Sequence, residues 1–428
     1  MKTNSIHTVD RNRRNYFLSD VKNCPVIVAV FILALMTPSE ISFAIGGLRL
    51  TPYRLILICT FFPSLMKVIR KNTAGFLLAD FLVIFNLLWA AIVISYHHGA
   101  SMAIESGGVR VIELGGAYFL ARGHIVDERS YRGAVAFLIF TVCLLFPITL
   151  FETVTGRHPI KELSALISGS HFYDAIRPRF GFYRAYGPFD HPILFGGFSA
   201  SLFAMGWFSY RKPYSKVRLI HYVRQGIITI TALCSISSVA IAALSTQFII
   251  IGWGIVANRI NKKWLLLSSI IIIMYLSVEL LSSRSAIKVF LSYLTFSSNT
   301  AYNRIAIFNY GIQDVLNNPI FGIGFNVWSR PSWMHSTSMD NFWLVQAVTF
   351  GLPGFFSLFL ASLLLISKKW KFLSVELINL RAGWTISMIG VVFTACTTHF
   401  WNNSFVYYGF LMGAGVWFLG RAACTRTK

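Results

Sequence analysis

The chain has 428 residues, of which 55% are hydrophobic and 13% charged, and its mean hydropathy is +0.61. Soluble domains carry nearer a quarter charged residues, so the composition excludes an ordinary soluble fold and predicts an all-α, polytopic membrane protein. The formal net charge of +22 would suggest nucleic acid in a soluble chain, but in a membrane protein it reflects the Lys and Arg that cytoplasmic loops collect, and no nucleic-acid partner is expected.

The start of the chain, 1–22, is polar and basic and reads as a cytoplasmic tail with no cleavable signal peptide. About 12 spanning helices follow, taking roughly 20 apolar residues per span. Their cores begin with 24–44, 52–67, 75–96, 102–121 and 133–151. The fourth is interrupted by Glu105, Arg110 and Glu113; Arg110 and Glu113, spaced i, i+3, are expected to pair with each other. Next come 192–209, 225–240, 242–258 and 264–282, with the break in 225–258 expected near Ala240–Thr246. The last three are 342–366, 382–399 and 404–421, and a tail, 422–428, ends the chain. Residues 23–421 thus read as one transmembrane domain. The six cysteines fall in or beside apolar runs, with no disulfide or zinc spacing.

With the N-terminus inside, about 26 of the 38 Lys and Arg residues lie on the cytoplasmic side, so both termini are expected there. Two long polar loops, 152–191 and 283–341, then share the outer face. Their basic residues, among them Arg177, Arg179, Arg184, Arg284 and Arg304, run against the positive-inside trend. Anionic lipid headgroups are one reason to keep them there. A bound diphosphate is the other, since the planar Arg fork matches phosphate geometry.

The first loop ends in Arg177-Pro-Arg179-Phe-Gly-Phe-Tyr-Arg184-Ala-Tyr-Gly-Pro-Phe-Asp190-His191-Pro192, three arginines within eight residues at the mouth of a helix. In the second loop, Ala301–Leu316 has helical periodicity with an apolar stripe at Ile305, Phe308, Ile312, Val315 and Leu316. Arg304 stands at the edge of that stripe, at headgroup height if the helix lies on the membrane. His335, Asp340 and Asn341 then lead into the tenth helix; Asp340 reads either as its cap or as a chemical group, and Gln346 needs a partner. Trp328, Trp333 and Trp401 suit either interfacial anchoring or stacking on sugar faces.

Three stretches resemble the superfamily of O-antigen ligases and Wzy-type polysaccharide polymerases, bacterial inner-membrane glycosyltransferases. They are Arg184-Ala-Tyr-Gly-Pro-Phe-Asp-His-Pro-Ile193, then Asn303-Arg304 through Asn318-Pro-Ile-Phe-Gly-Ile-Gly324, and finally Asp340-Asn341 with Gly351-x-x-Gly354. The resemblance implies a glycosyltransferase-C-like architecture with two large periplasmic loops. It also implies a metal-independent and cofactor-free transfer of glycan from undecaprenyl diphosphate. In that picture Arg184, Arg304, Arg179 and Arg177 hold the diphosphate. Asp340, with His335 and His191 in reserve, activates the acceptor hydroxyl. Asn341, Trp328, Trp333, Trp401 and Asp190 contact glycan. Where the ligases carry His before the Asn, this chain has Asp340, which favours a polymerase. A ligase acting on a lipid A-core acceptor is one alternative, and a flippase for lipid-linked glycans another. Membrane lipids, a chain-length regulator and a flippase are the expected partners.

Overall fold

The computed structural model describes residues 16–45, 48–70, 75–174, 176–210, 219–286, 288–289, 298–334, 337–367 and 374–424. The described chain is almost wholly helical. Helices α1 (Tyr16–Lys22) and α2 (Val26–Leu35) precede a two-stranded antiparallel hairpin, β1 (Phe43–Ile45) and β2 (Leu48–Leu50). Then come α3 (Pro52–Arg70), α4 (Leu78–Met102), α5 (Gly108–Arg110), α6 (Ala117–His124) and α7 (Glu128–Thr155). The remainder are α8 (Pro159–Ser168), α9 (Pro192–Tyr210), α10 (Leu219–Cys234), α11 (Ser238–Val256), α12 (Lys263–Leu281), α13 (Ser298–Asn317), α14 (Phe342–Ser367), α15 (Val375–Thr394) and α16 (Asn403–Cys424). Among the described residues, 8 helical runs are long and apolar enough to cross a membrane.

Local chemistry sets many of the helix starts. Asp127 accepts from the Ser130 N–H (2.8 Å) to begin α7, and Ser374 accepts from Leu377 to begin α15. Proline stands at the first position of α3, α8 and α9, where its missing N–H costs nothing. The core lies along α9, which packs against α7, α10, α11 and α15. In α16, Gly409 and Gly413 lie against the backbone of Leu114 and Tyr118, a close approach between apolar helices that small residues permit.

Two of the long runs are not straight. From Leu78 to His124 the chain is helical except at Gly99 (φ 85°, ψ 169°). Residues on either side of Gly99 meet in pairs: Asp80 accepts from Tyr118 Oη (2.6 Å), and Asn86 accepts from Arg110 (2.8 Å). A straight helix would separate Asp80 and Tyr118 by roughly 57 Å at 1.5 Å per residue, so the run is a helical hairpin. The same geometry corrects the expectation of a single tenth span over 342–366. The Trp343 and Phe359 rings lie 5.2 Å apart, whereas a straight helix would hold their Cα atoms roughly 24 Å apart. Helix α14 folds back at Gly351 (φ 70°), leaving a short first arm, 342–350, and a longer second one.

Two further expectations are corrected. The break within 225–258 falls at Ser235–Ser237, where Ile236 has φ 39° and Ser237 caps α11, rather than at Ala240–Thr246. Arg110 and Glu113 do not pair with each other. Glu113 accepts from Arg54 (2.8 and 3.0 Å) and Tyr53 (3.2 Å), while Arg110 donates to Asn86 (2.8 Å) and Gln346 (2.5 Å). Spacing along the sequence describes one helix by itself, and the strongest partners of both residues come from other helices.

The polar contacts collect at two ends of the bundle. At one end Arg129 meets Asn23 (2.8 Å), Arg132 meets Glu128 and the Ser209 carbonyl, and Arg224 lies over Phe17 and Tyr210. At the other, buried Lys161 of α8 bonds Glu40 (2.8 and 3.0 Å) and approaches Asp190 (3.6 Å), which also accepts from Ser39 and Asn402. The tip of the Gly99 hairpin reaches the second long loop, with His97 bonded to the Gly322 carbonyl (3.1 Å) and His98 accepting from the Phe325 N–H (2.8 Å).

Candidate functional site

The first loop is held by a network of two carboxylates, buried Glu152 and half-buried Asp174. Glu152, at the end of α7, accepts from the N–H groups of Tyr186 (2.8 Å) and Gly187 (3.0 Å), just beyond Arg184. Asp174 accepts from Tyr186 Oη (2.8 Å). His158 sits between them, 3.5 Å from Glu152 and 3.1 Å from Asp174. Burial opposes its positive charge, but the two carboxylates outweigh burial and raise its pKa. Arg179 and Phe182 exchange both backbone bonds across a tight turn whose central residues, Phe180 and Gly181, have φ 53° and 80°.

This loop delivers its arginines to the break between α10 and α11. Arg184 Nε donates to the Ser235 carbonyl (3.2 Å), and Arg179 Nη1 donates to the Ile236 carbonyl (3.3 Å). Both carbonyls belong to the two residues that follow the C-terminal end of α10, next to the negative end of its dipole. The bond to Ser235 does not exhaust the Arg184 guanidinium, which has five donors. Arg184 is only 5% exposed, and among the described residues nothing accepts from its Nη2. Burial, with the Arg179 charge adding to it, pushes Arg184 down to about 10.

Arg304 arrives from the second loop on α13. The sequence stripe puts it at a membrane-facing edge, but the helix is rotated from that expectation. Arg304 is 5% exposed and inward beside Ala301 and Ile307, while Leu316 is exposed. The reason is that Ala306, Ile307 and Val315 pack with Trp328, Met334, Met339 and Leu344 into a small core of the cap. Arg304 Nε and Nη1 are buried without a partner among the described residues. Burial lowers its pKa; Asp340 works against that shift and Arg179 adds to it. Arg179 therefore acts on both Arg184 and Arg304, and the arginines of the two loops share one electrostatic neighbourhood.

His191 belongs to the same neighbourhood. Burial, reinforced by Arg184 and Arg179, holds it down to about 4, so the ring is neutral at neutral pH. Its Nδ1 accepts from the Ile193 N–H (3.1 Å) at the start of α9. The ring proton is thereby placed on Nε2, which makes that nitrogen a donor. Trp401 lies beside it, with ring centroids 6.3 Å apart.

The N-terminal cap of α14 is Asn341, not Asp340: Asn341 Oδ1 accepts from the Leu344 N–H (3.0 Å). Asp340 is instead half-buried, with Ser338 Oγ donating to Oδ1 (2.9 Å). The short arm that begins there is locked from behind by the second loop. The N–H groups of Ile323 and Gly324 bond the carbonyls of Val348 (2.8 Å) and Thr349 (3.0 Å), and Leu352 N–H bonds the Pro319 carbonyl (2.7 Å). A Cβ on Gly322 would strike the Val348 carbonyl oxygen, and one on Gly351 would strike that of Ile320; both residues also have positive φ. Only glycine meets both demands, so the Asn318–Gly324 and Gly351–Gly354 stretches are two halves of one joint.

Of the candidate residues, Arg179, Arg184, His191, Arg304 and Asp340 share this neighbourhood. Arg177 is exposed. Asp190 is bonded to Ser39 and Asn402 beside Lys161. Trp328 is buried in the cap core with its Nε1 on the Thr337 carbonyl, whereas Trp333 is exposed against Tyr302. His335 lies outside the described residues. Glu152, His158 and Asp174 do not stand out in the sequence; the one signal for Glu152 is a carboxylate at the end of an otherwise apolar run. Comparison with protein-family models and with curated proteins finds no match for this chain.

Proposed function

We propose that this is a membrane glycosyltransferase that polymerises undecaprenyl-diphosphate-linked oligosaccharide repeat units into exopolysaccharide or O-antigen. In this reading about 12 spans are formed, both termini are cytoplasmic, and the arginine end of the bundle faces the periplasm of a bacterial inner membrane. The observation that carries it is the convergence of Arg179, Arg184 and Arg304 from two distant loops, with N–H groups of Arg184 and Arg304 buried and unspent among the described residues. A buried cation whose N–H groups lack acceptors is costly, so such a group is suited to an anionic ligand.

The chemistry follows from charge development. An acceptor sugar hydroxyl attacks the anomeric carbon of the lipid-linked glycan. A new C–O bond forms, and the bond to the diphosphate oxygen breaks. That oxygen leaves with the electron pair, and Arg184, Arg304 and Arg179 stabilise its charge. His191, as an Nε2–H donor, adds a neutral hydrogen bond to the same anion. Asp340, free of the capping role, takes the hydroxyl proton. Trp333 and Trp401 suit the glycan chain.

The test uses purified protein in detergent with lipid-linked repeat units. Products longer than the substrate, with release of lipid diphosphate, are expected. Binding without lengthening would sink the polymerase reading in favour of transport, and transfer to a lipid A-core acceptor alone would favour ligation.

A further inference from the structure

We propose that Arg110 is a positioning residue, holding the folded-back arms of α14, and hence Asp340, in register with the arginines. The inference rests on the reading of Asp340 as the group that receives the acceptor proton.

Arg110 lies in the second limb of the Gly99 hairpin, in a three-residue α turn between two π-helical segments, Ala103–Gly107 and Val111–Gly116. Such segments distort a helix and recur where a side chain has to be aimed. Arg110 Nη2 donates to Gln346 Oε1 (2.5 Å) on the first arm of α14 and to Asn86 Oδ1 (2.8 Å). Asn86 in turn donates to the Gly354 carbonyl (2.8 Å) and to Ser357 Oγ (3.0 Å) on the second arm. One cation thus ties together both arms and the first limb of the hairpin.

The guanidinium also lies over the Phe350 ring, 4.4 Å from its centroid, and 5.3 Å from that of Phe405. Phe350 ends the first arm, and its carbonyl accepts from Trp89 Nε1 (2.8 Å). Among the described residues no carboxylate bonds Arg110, because Glu113 is taken up by Arg54 and Tyr53. A cation in an apolar region whose hydrogen bonds all go to neutral amides is costly, and such a residue is a default candidate for function. Its reach ends at the arm whose first residues follow Asp340. The cap at Asn341 and the joint at Gly322–Gly351 then make that arm a rigid lever rather than a loop.

The experiment measures steady-state polymerisation and hydrogen exchange on the purified protein. Arg110→Gln should lower kcat roughly 10- to 100-fold, the scale of a misplacement of about 1 Å, while KM for lipid-linked repeats moves by less than about threefold. Exchange should rise in 342–350 and 319–324 but not in α9 or α15. Gln346→Met, which removes only the acceptor, should reproduce both effects, and Arg110→Lys should fall between. Wild-type kcat and exchange in Arg110→Gln would overturn the proposal. So would a large rise in KM at constant kcat, which would make Arg110 a substrate contact. A wild-type protein that makes no polymer would sink the functional reading alone, and the exchange pattern would still decide whether Arg110 holds the arms.

Discussion

At the scale of single residues, neighbouring side chains divide roles that sequence leaves merged. Asn341 caps α14, and Asp340 is left with its carboxylate available. Asn341→Ala should lower thermal stability, by about 1 kcal/mol for a lost cap. Asp340→Asn should leave stability near wild type but cut polymerisation roughly 100-fold or more, the scale of a lost general base. Wild-type polymer from Asp340→Asn, at equal protein level in the same membranes, would remove that role. Arg304→Lys keeps the charge but loses the fork and should retain little activity; full activity in Arg304→Ala would reduce Arg304 to a structural cation. His158 supplies a pH signature. Its pKa is raised in the fold, so its contribution is fully present below its ordinary value of 6.5 and is lost as pH rises through the folded pKa. The melting-temperature gap between wild type and His158→Asn should therefore shrink from about pH 5.5 to about pH 8.5; a gap that widens would contradict the assignment.

At the scale of elements, the decisive feature is a joint. The second loop bonds the far end of the short arm of α14, and it does so through two glycines that leave no room for a side chain. Gly351→Ala would have to adopt a positive-φ, extended conformation that is essentially reserved for glycine, costing roughly 1–3 kcal/mol, and displace the Ile320 carbonyl as well. It should lower the melting temperature and abolish polymer together, unlike Asp340→Asn, which should affect polymer alone. A Gly351→Ala protein of wild-type stability would mean that the joint does not hold the arm.

At the scale of the whole molecule, the two long loops belong to one end of the bundle. Lys161, Asp190, Ser39 and Asn402 knit three connections there, while Arg129, Arg132 and Arg224 mark the opposite end. Tyr173 and Tyr310 are both exposed on these loops. If that end is periplasmic, cysteines placed at either position should react with an impermeant thiol reagent in intact spheroplasts. Labelling only after lysis would invert the orientation.

Sequence alone carries the helical class and the places of most long apolar helices; the span expected over 24–44 is instead the 10-residue α2 followed by the β1–β2 hairpin. The class and those places follow from runs of residues whose transfer out of water is decided locally, one side chain at a time. Tertiary structure alone decided which way each helix turned and which groups met. Arg304 faces inward because the cap has its own core, and Arg110 finds Gln346 rather than Glu113 because α14 folds back at Gly351. Pairings of this kind join residues up to hundreds of positions apart. They depend on the close approach of backbones at a few glycines, which periodicity along one helix does not encode.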